Sequence, residues 1–464
     1  KLKKASRILV AYGKSDILQP GESGKVSLTF DDACMASYDE TGVTGYASSY
    51  VLEEGEYKFY VGTDVRAHKS SGAVTVEETE VVETLTQALA PVTAFSRMKP
   101  VVAEDGTVSF EMEEVPLREI PLDVKRKENL PAEIPQTEDK GYKLSDVKTG
   151  KVSMEAFVAQ MSDEDLACMV RGEGMGSPKV TAGTAAAFGG VSDHLMEMGI
   201  PCGCCADGPS GMRMDSGAKA FSLPNGTLLA SSFNDKLVEE LYAFTGIEMV
   251  KNKIEALLGP GMNIHRSPLC GRNFEYFSED PYLTGKIAAA YVRGVQHAGK
   301  SACPKHYACN NQEYNRNGND SRVSERALRQ IYLRGFEICV KEAEPKNIMT
   351  SYNLINGVWG HYNYELCTMM LREEWGYKGN VMTDWWMRKS KSQEFPEMCD
   401  QAYRVRAQVD VLMPGGGRVV IFRRPDGTLL KTYGKKDGIT LGEMQRTAMN
   451  VLNFAMNSTA MERM

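Results

Sequence analysis

The chain has 464 residues, enough for two to three domains at roughly 150 residues each. Its 42% hydrophobic and 25% charged residues are ordinary for a soluble globular protein. A formal net charge of −7 argues against a nucleic-acid surface, and no run reaches the roughly 20 apolar residues of a membrane helix.

The N-terminal Lys1-Leu2-Lys3-Lys4 has no apolar stretch behind its charges. No signal peptide is read there, and a cytoplasmic location is expected. The chain opens without Met, so further sequence upstream of Lys1 is expected. The 11 cysteines form no framework and read as reduced thiols. Cys202, Cys204 and Cys205 lack the spacing of a zinc site and are expected to be a small-residue strand end. Neither a metal nor a cofactor is expected. The sequons at Asn225, Asn319 and Asn457 carry no meaning without a secretory route.

In chain order, residues 1–85 alternate with period two. Val26, Leu28 and Phe30 form one run, Tyr57, Phe59 and Val61 a second, and Val74 and Val76 a third. Turn residues at Pro20-Gly21 and Glu54-Gly55 separate them, which predicts about seven short antiparallel strands in a small β-sandwich. Residues 86–150 mix short apolar pieces (Val108, Phe110, Met112) with the charged stretch Asp123 to Lys140. They read as a connector lying over a neighbouring surface.

From 151 to 464 the pattern turns to helices and buried strands. Ser153 and Ser162 suit helix N-caps, and Asp165 completes a capping box with Ser162. Apolar runs at Ala256-Leu258, Asn347-Met349, Asn380-Met382 and Val409-Leu412 recur between helical stretches. Such runs predict parallel pairing, with a closed (β/α)8 barrel as the natural form. The whole therefore reads as multidomain, an N-terminal β-sandwich followed by an α/β barrel. A hairpin is expected through Asp426-Gly427.

Polar residues follow the buried runs: Asp207, then Arg272, Lys305 with His306, Tyr352, and Asp384 with Trp385. A parallel barrel builds its site at the C-terminal strand ends, so these residues are expected to share one mouth. Carboxylates, cations and aromatics together suit a neutral polyhydroxylated ligand. Phosphate fits poorly, because no Gly-rich phosphate loop exists and the aspartates would repel an anion. A carboxylate at a strand end beside Lys and Arg is expected to stay ionised, as a glycosidase nucleophile must. The alternative for Asp384 is a helix N-cap.

The segment Trp375-Gly376-Tyr377-Lys378-Gly379-Asn380-Val381-Met382-Thr383-Asp384-Trp385 resembles the nucleophile signature of glycoside hydrolase family three. Asp207-Gly208-Pro209-Ser210-Gly211-Met212-Arg213 and Gly259 to Arg266 extend the resemblance. Gly271-Arg272-Asn273-Phe274-Glu275, Lys305-His306-Tyr307-Ala308 with Asn310 to Glu313, and Ser351-Tyr352-Asn353 complete the ordered set of motifs over residues 160 to 415. Residues 1–85 resemble the fibronectin-type-III-like domain of the same family.

The resemblance implies a retaining exo-acting β-glycosidase, first of all a β-glucosidase, with a β-xylosidase as the alternative. It implies Asp384 as the nucleophile that forms a glycosyl-enzyme. Asp207, Arg272, Lys305 and His306 would hold sugar hydroxyls, Tyr352 would lie against the nucleophile, and Trp385 would wall the leaving-group subsite. After Lys305-His306 the chain departs from the branch that carries a His-containing acid/base loop. It resembles instead the branch whose acid/base Glu comes from a separate α/β sandwich domain. No such domain is found in this chain. The fibronectin-like region before the barrel implies a permuted order, with the companion domain upstream or on a separate chain. Glu275 or Glu313 acting as the acid is the lesser alternative. A non-catalytic sugar-binding fragment is the competing reading, and an aldolase-like barrel fits poorly, since Lys305 lies among polar neighbours.

Overall fold

The structure is a computed structural model that describes residues 1–2, 4–392, 394–395, 397–416 and 427–464. The chain divides into two compact units, Lys1–Glu119 with Val323–Gln330, and Ile120–Arg322 with Ile331–Met464. This division differs from the expected boundaries at 85 and 150. Residues 86–119 go with the first unit and 120–150 with the second.

The first unit holds β1 (Ser37–Asp39), β2 (Ser49–Leu52), β3 (Gly55–Gly62), β4 (His68–Val76), β5 (Glu80–Thr84), β6 (Ser96–Val102) and β7 (Val108–Glu114). They form one three-stranded sheet, β1-β2-β5, and two hairpins, β3-β4 and β6-β7, all antiparallel. Met35, Ala36, Leu52 and Val76 make its core, with Phe30, Tyr50, Tyr57 and Phe59 packed against them. The second and third alternating runs fall in β3 and β4. The run Val26–Phe30 does not form a strand, and Val26 and Leu28 stay 42% and 44% exposed. Alternation permits a strand, but a strand exists only where a neighbour supplies its ladder. Buried Glu325 ties the segment 323–330 to this unit. Its Oε1 accepts from the Tyr38 hydroxyl at 2.7 Å, the Ala88 amide at 2.9 Å and Arg329 Nε at 2.8 Å.

The second unit is built on β8 (Arg171–Gly174), β9 (Ala186–Gly189), β10 (Cys202–Asp207), β11 (Ala256–Leu258), β12 (Ser301–Ala302), β13 (Asp320–Ser321), β14 (Asn347–Met349), β15 (Leu354–Ile355), β16 (Val358–Trp359), β17 (Asn380–Trp385) and β18 (Val411–Gly416). Eight of these form one sheet in the order β12-β11-β10-β9-β8-β18-β17-β14, and β13, β15 and β16 form a small separate sheet. The eight-stranded sheet curls until its edges meet. Tyr307 N donates to Met349 O at 2.8 Å and Met349 N to Pro304 O at 3.0 Å, which links the segment after β12 to β14. Below that seam, Asn347 Nδ2 donates to Ser301 Oγ at 2.7 Å, and Asn380 Nδ2 donates to Asn347 Oδ1 at 3.0 Å.

One strand departs from the expected parallel barrel, because β9 runs antiparallel to both β8 and β10. The cause is the connection. Residues 175–185 contain no helix to carry the chain back across the sheet. A short link can only join antiparallel neighbours, whereas parallel pairing needs a crossover of about a dozen residues or more.

Helices cover the barrel where the sequence places caps. Ser153 and Ser162 cap Met154–Ala159 and Asp163–Met169, the second with the expected capping box. Asp280 caps Pro281–Gln296, with Pro281 in the first turn. Residues 120–150 lie against this unit through Lys125, whose Nζ meets Glu365 Oε1 at 2.8 Å, and through Ile134, which exchanges hydrogen bonds with Gln445. The hairpin turn expected at Asp426-Gly427 lies outside the described residues up to Asp426, and the chain is helical from Gly427 to Leu430. Among the described residues no helix is long and apolar enough to cross a membrane.

Asp410, just before β18, is fully buried and fully engaged. Its Oδ2 meets Arg372 Nη2 at 2.6 Å and the Val381 amide at 2.8 Å, and its Oδ1 accepts from Asn450 Nδ2 at 3.0 Å. Removing it leaves the buried Arg372 guanidinium without its counter-charge and the Val381 amide without this acceptor. Asp410→Ala is therefore expected to cost about 3–5 kcal/mol in chemical denaturation. The double variant Asp410→Leu/Arg372→Met is expected to recover much of that loss.

Candidate active site

The expected site residues stand at strand ends or, for Arg272, on the connection after one. Asp207 closes β10, and the chain behind it must fold back tightly. Gly208 and Gly211 both take φ of +117°, and a Cβ on Gly208 would lie 1.9 Å from the Gly211 carbonyl oxygen. This turn lets the Arg213 amide donate to Asp207 O at 2.7 Å and brings Arg213 Nη2 to 3.7 Å from Asp207 Oδ2.

Lys305 and His306 lie on the seam segment after β12. Lys305 Nζ reaches Asp207 Oδ1 at 3.3 Å. The His306 backbone is clamped by Asn263, whose Oδ1 accepts from His306 N at 2.9 Å and whose Nδ2 donates to His306 O at 2.8 Å. Arg272, after β11, donates through Nε to Glu275 and stands 3.9 Å from Glu313 Oε1. Tyr352 follows β14 and donates to Trp385 O at 2.7 Å, with the Arg316 guanidinium 4.1 Å above its ring. Trp385 Nε1 donates to Ala185 O at 3.3 Å, which fixes the indole against the start of β9.

Asp384 sits among them, only 8% exposed. Its Oδ1 accepts from the Trp385 amide at 2.8 Å. Its Oδ2 has no hydrogen-bond partner and lies 3.4 Å from His306 Nε2. Burial pushes the Asp384 carboxyl up, and Lys305, Arg272, the Trp385 amide and Arg316 pull it back without cancelling the burial. Asp207 is the converse case. Burial opposes its charge, but Lys305, the Gly208 amide and Arg213 outweigh it and hold it below the usual carboxylate range. Burial, then Arg272, Lys305 and Arg316, drive His306 well below the ordinary imidazole range, so it is neutral at pH 7. Burial and the Asp384 charge raise the Tyr352 phenol, which keeps its proton.

The structure thus brings Asp207, Arg272, Lys305, His306, Tyr352, Asp384 and Trp385 to one barrel mouth. Glu275 is committed to Arg272, and Glu313 to Arg316 Nη1 at 2.9 Å. Sequence reasoning did not single out Arg316, Tyr276 or Asn263. Arg316 lies far from any strand end, so no position rule points to it, whereas Tyr276 and Asn263 lie within or beside the quoted motifs. Cys202, Cys204 and Cys205 lie along β10, and no group of three His, Cys, Asp or Glu side chains among the described residues could hold a metal ion.

Known proteins share this sequence and fold. The model of the glycosyl hydrolase family 3 N-terminal domain matches residues 136–428, and that of a fibronectin type III-like domain matches residues 1–65. A β-glucosidase of Ruminococcus albus is 50% identical over 468 residues, covering 100% of this chain and 48% of that protein. A β-glucosidase structure from Paenibacillus barengoltzii superposes with a TM-score of 0.92 at 51% identity, over 100% of this chain and 51% of that one. β-Glucosidase 3B of Thermotoga neapolitana, solved in complex with glucose, gives 0.57 at 35% identity, over 67% of this chain and 43% of that one. The chain spans about half the length of these first two relatives. By a family match covering more than half of its length, the chain belongs to glycosyl hydrolase family 3.

Proposed function

We propose that this chain forms the barrel-bearing part of a retaining, exo-acting β-glucosidase, with Asp384 as its nucleophile. The observation that carries the reading is Asp384 itself, a buried carboxylate with one oxygen held and the other free, ringed by three cations. Its Oδ2 attacks the anomeric carbon from the side opposite the aglycone. The bond to the aglycone oxygen breaks, and that oxygen takes a proton. Water then cleaves the glycosyl-Asp384 ester with net retention. The Asp207–Lys305 pair, Arg272 and His306 are placed to bind ring hydroxyls, and contacts that tighten as the ring flattens raise the rate. The β-glucosidase names of the relatives support glucose as the sugar.

The leaving-group proton comes from elsewhere in this reading. Asp207, Glu275 and Glu313 are each tied to a cation. A companion α/β domain carrying an acid/base Glu, on the same or a separate polypeptide, completes the site. Phe274, Tyr314 and Trp386 stand 59%, 85% and 72% exposed on loops that follow β11, β12 and β17, and suit an apolar rim for it. The barrel is a (β/α)8 form with β9 reversed, and the first unit is a fibronectin-type-III-like sandwich set before it.

Two outcomes test the nucleophile. Asp384→Ala is expected to lower kcat on an aryl β-glucoside on the order of 10⁴-fold or more while the protein stays folded. A 2-fluoro-glucoside is expected to form an ester on Asp384, read by peptide mass spectrometry, and a label on another carboxylate would overturn the assignment.

Stability gives an independent check. A raised folded-state pKa means Asp384 contributes most stability below the unfolded value of 3.8, and this is lost as pH rises through the folded value. Asp384→Asn escapes that loss. It is expected to melt higher than the parent at pH 7, by about 1 kcal/mol, with the gap closing towards pH 4 in thermal scans.

A further inference from the structure

Asp384 faces His306, and a neutral imidazole carries its proton on only one nitrogen. Which nitrogen bears it decides whether Nε2 offers a donor or a lone pair to Asp384 Oδ2. A chain of side chains, from half-buried Glu313 through buried Asn310 and Tyr276, leads to the other nitrogen. Glu313 Oε1 accepts from Asn310 Nδ2 at 3.0 Å. The same Asn310 Nδ2 donates to the Tyr276 hydroxyl at 3.0 Å. Tyr276 Oη lies 3.2 Å from His306 Nδ1.

Directions along this chain follow from Glu313. A carboxylate held by Arg316 can only accept, so it requires the amide nitrogen of Asn310, not the oxygen, on its side. Both hydrogens of Asn310 Nδ2 are then used, one on Glu313 and one on Tyr276. The Tyr276 oxygen, already accepting, has its own proton left to give, and His306 Nδ1 stands in reach. Burial above all raises the Tyr276 phenol and keeps that proton on it. Space for the ring is set by Gly261, where a Cβ would lie 3.0 Å from two Tyr276 ring carbons.

We propose that Glu313, Asn310 and Tyr276 are positioning residues that lock His306 in the Nε2–H tautomer, so that it donates towards Asp384 Oδ2 and, with substrate bound, to a sugar hydroxyl. The opposite tautomer would set a nitrogen lone pair against the carboxylate. Asn310 Oδ1 has no partner, and this orphan shows which demand won. Turning the amide would set its oxygen against the Glu313 carboxylate, which has no proton to give.

The mechanistic value of the lock rests on Asp384 as nucleophile, but the tautomer itself is readable without turnover. Long-range ¹H–¹⁵N correlation on the full protein with ¹⁵N-labelled histidine, with His306→Gln for assignment, should show a pyrrole-type Nε2 and a pyridine-type Nδ1. Glu313→Leu should yield a mixture of tautomers and lower kcat/KM roughly tenfold, the size of one lost hydrogen bond. Glu313→Gln, which can turn its oxygen to Asn310, should restore a single tautomer and most of the rate. Tyr276→Phe keeps the ring and removes the last link, so it serves if Glu313→Leu does not fold, and it too should give a mixture. A pyrrole-type Nδ1 in the parent, or a pure Nε2–H tautomer in folded Tyr276→Phe, overturns the proposal. A correct tautomer in a protein that hydrolyses no β-glucoside would instead count against the glucosidase reading alone.

Discussion

The barrel depends on one seam. Its eight-stranded sheet is ordered from β12 round to β14, and these two strands do not pair along their length. The segment after β12 closes the ring by bonding to both sides, with Lys305 N donating to Pro260 O at 2.9 Å and Tyr307 N to Met349 O at 2.8 Å. Asn347, bonded to Ser301 and Asn380, ties the same strands at the opposite end. Lys305 and His306 belong to this closing segment. Their placement is therefore a by-product of closure, and the site cannot loosen there without opening the sheet. A ring also leaves no edge for another chain to pair with.

Two buried aspartates show how one side chain serves opposite ends. Asp410 has both oxygens filled by Arg372, Val381 and Asn450. Asp384 has the same burial and the same upward push on its pKa, yet one oxygen has no partner. The first spends its charge on order. The second holds charge at the mouth in an unrelieved form, which costs stability and leaves reactivity. Buried pairs such as Arg406 with Glu443 and Lys125 with Glu365 fix geometry more than they add stability, because desolvation offsets much of their attraction.

Much of this was legible in the sequence, for physical reasons that also mark where legibility ends. Strand ends could be read because apolar runs stop abruptly at Asp207, Lys305, Tyr352 and Asp384, and a barrel collects such ends on one face. Caps at Ser153 and Ser162 are local chemistry and read directly. The reversal of β9 is not local, since it follows from what the 175–185 connection lacks. Val26–Phe30 alternates like a strand but has no ladder. The attachment of Glu325 to the first unit rests on Tyr38 and Ala88, more than 200 residues away in the chain. Arg316 was invisible because no strand end points to it, although its charge bears on Asp384 and its guanidinium lies over the Tyr352 ring.

The reversed strand has one more effect. Because β8 and β9 meet through a loop and not a helix, the start of β9 faces the same side as the ends of its neighbours, and the Ala185 carbonyl can hold Trp385. Lengthening a surface loop costs little in closure free energy. The rim beside Trp385 therefore rests on a loop and not on the sheet, where insertions can reshape the mouth without touching its strands.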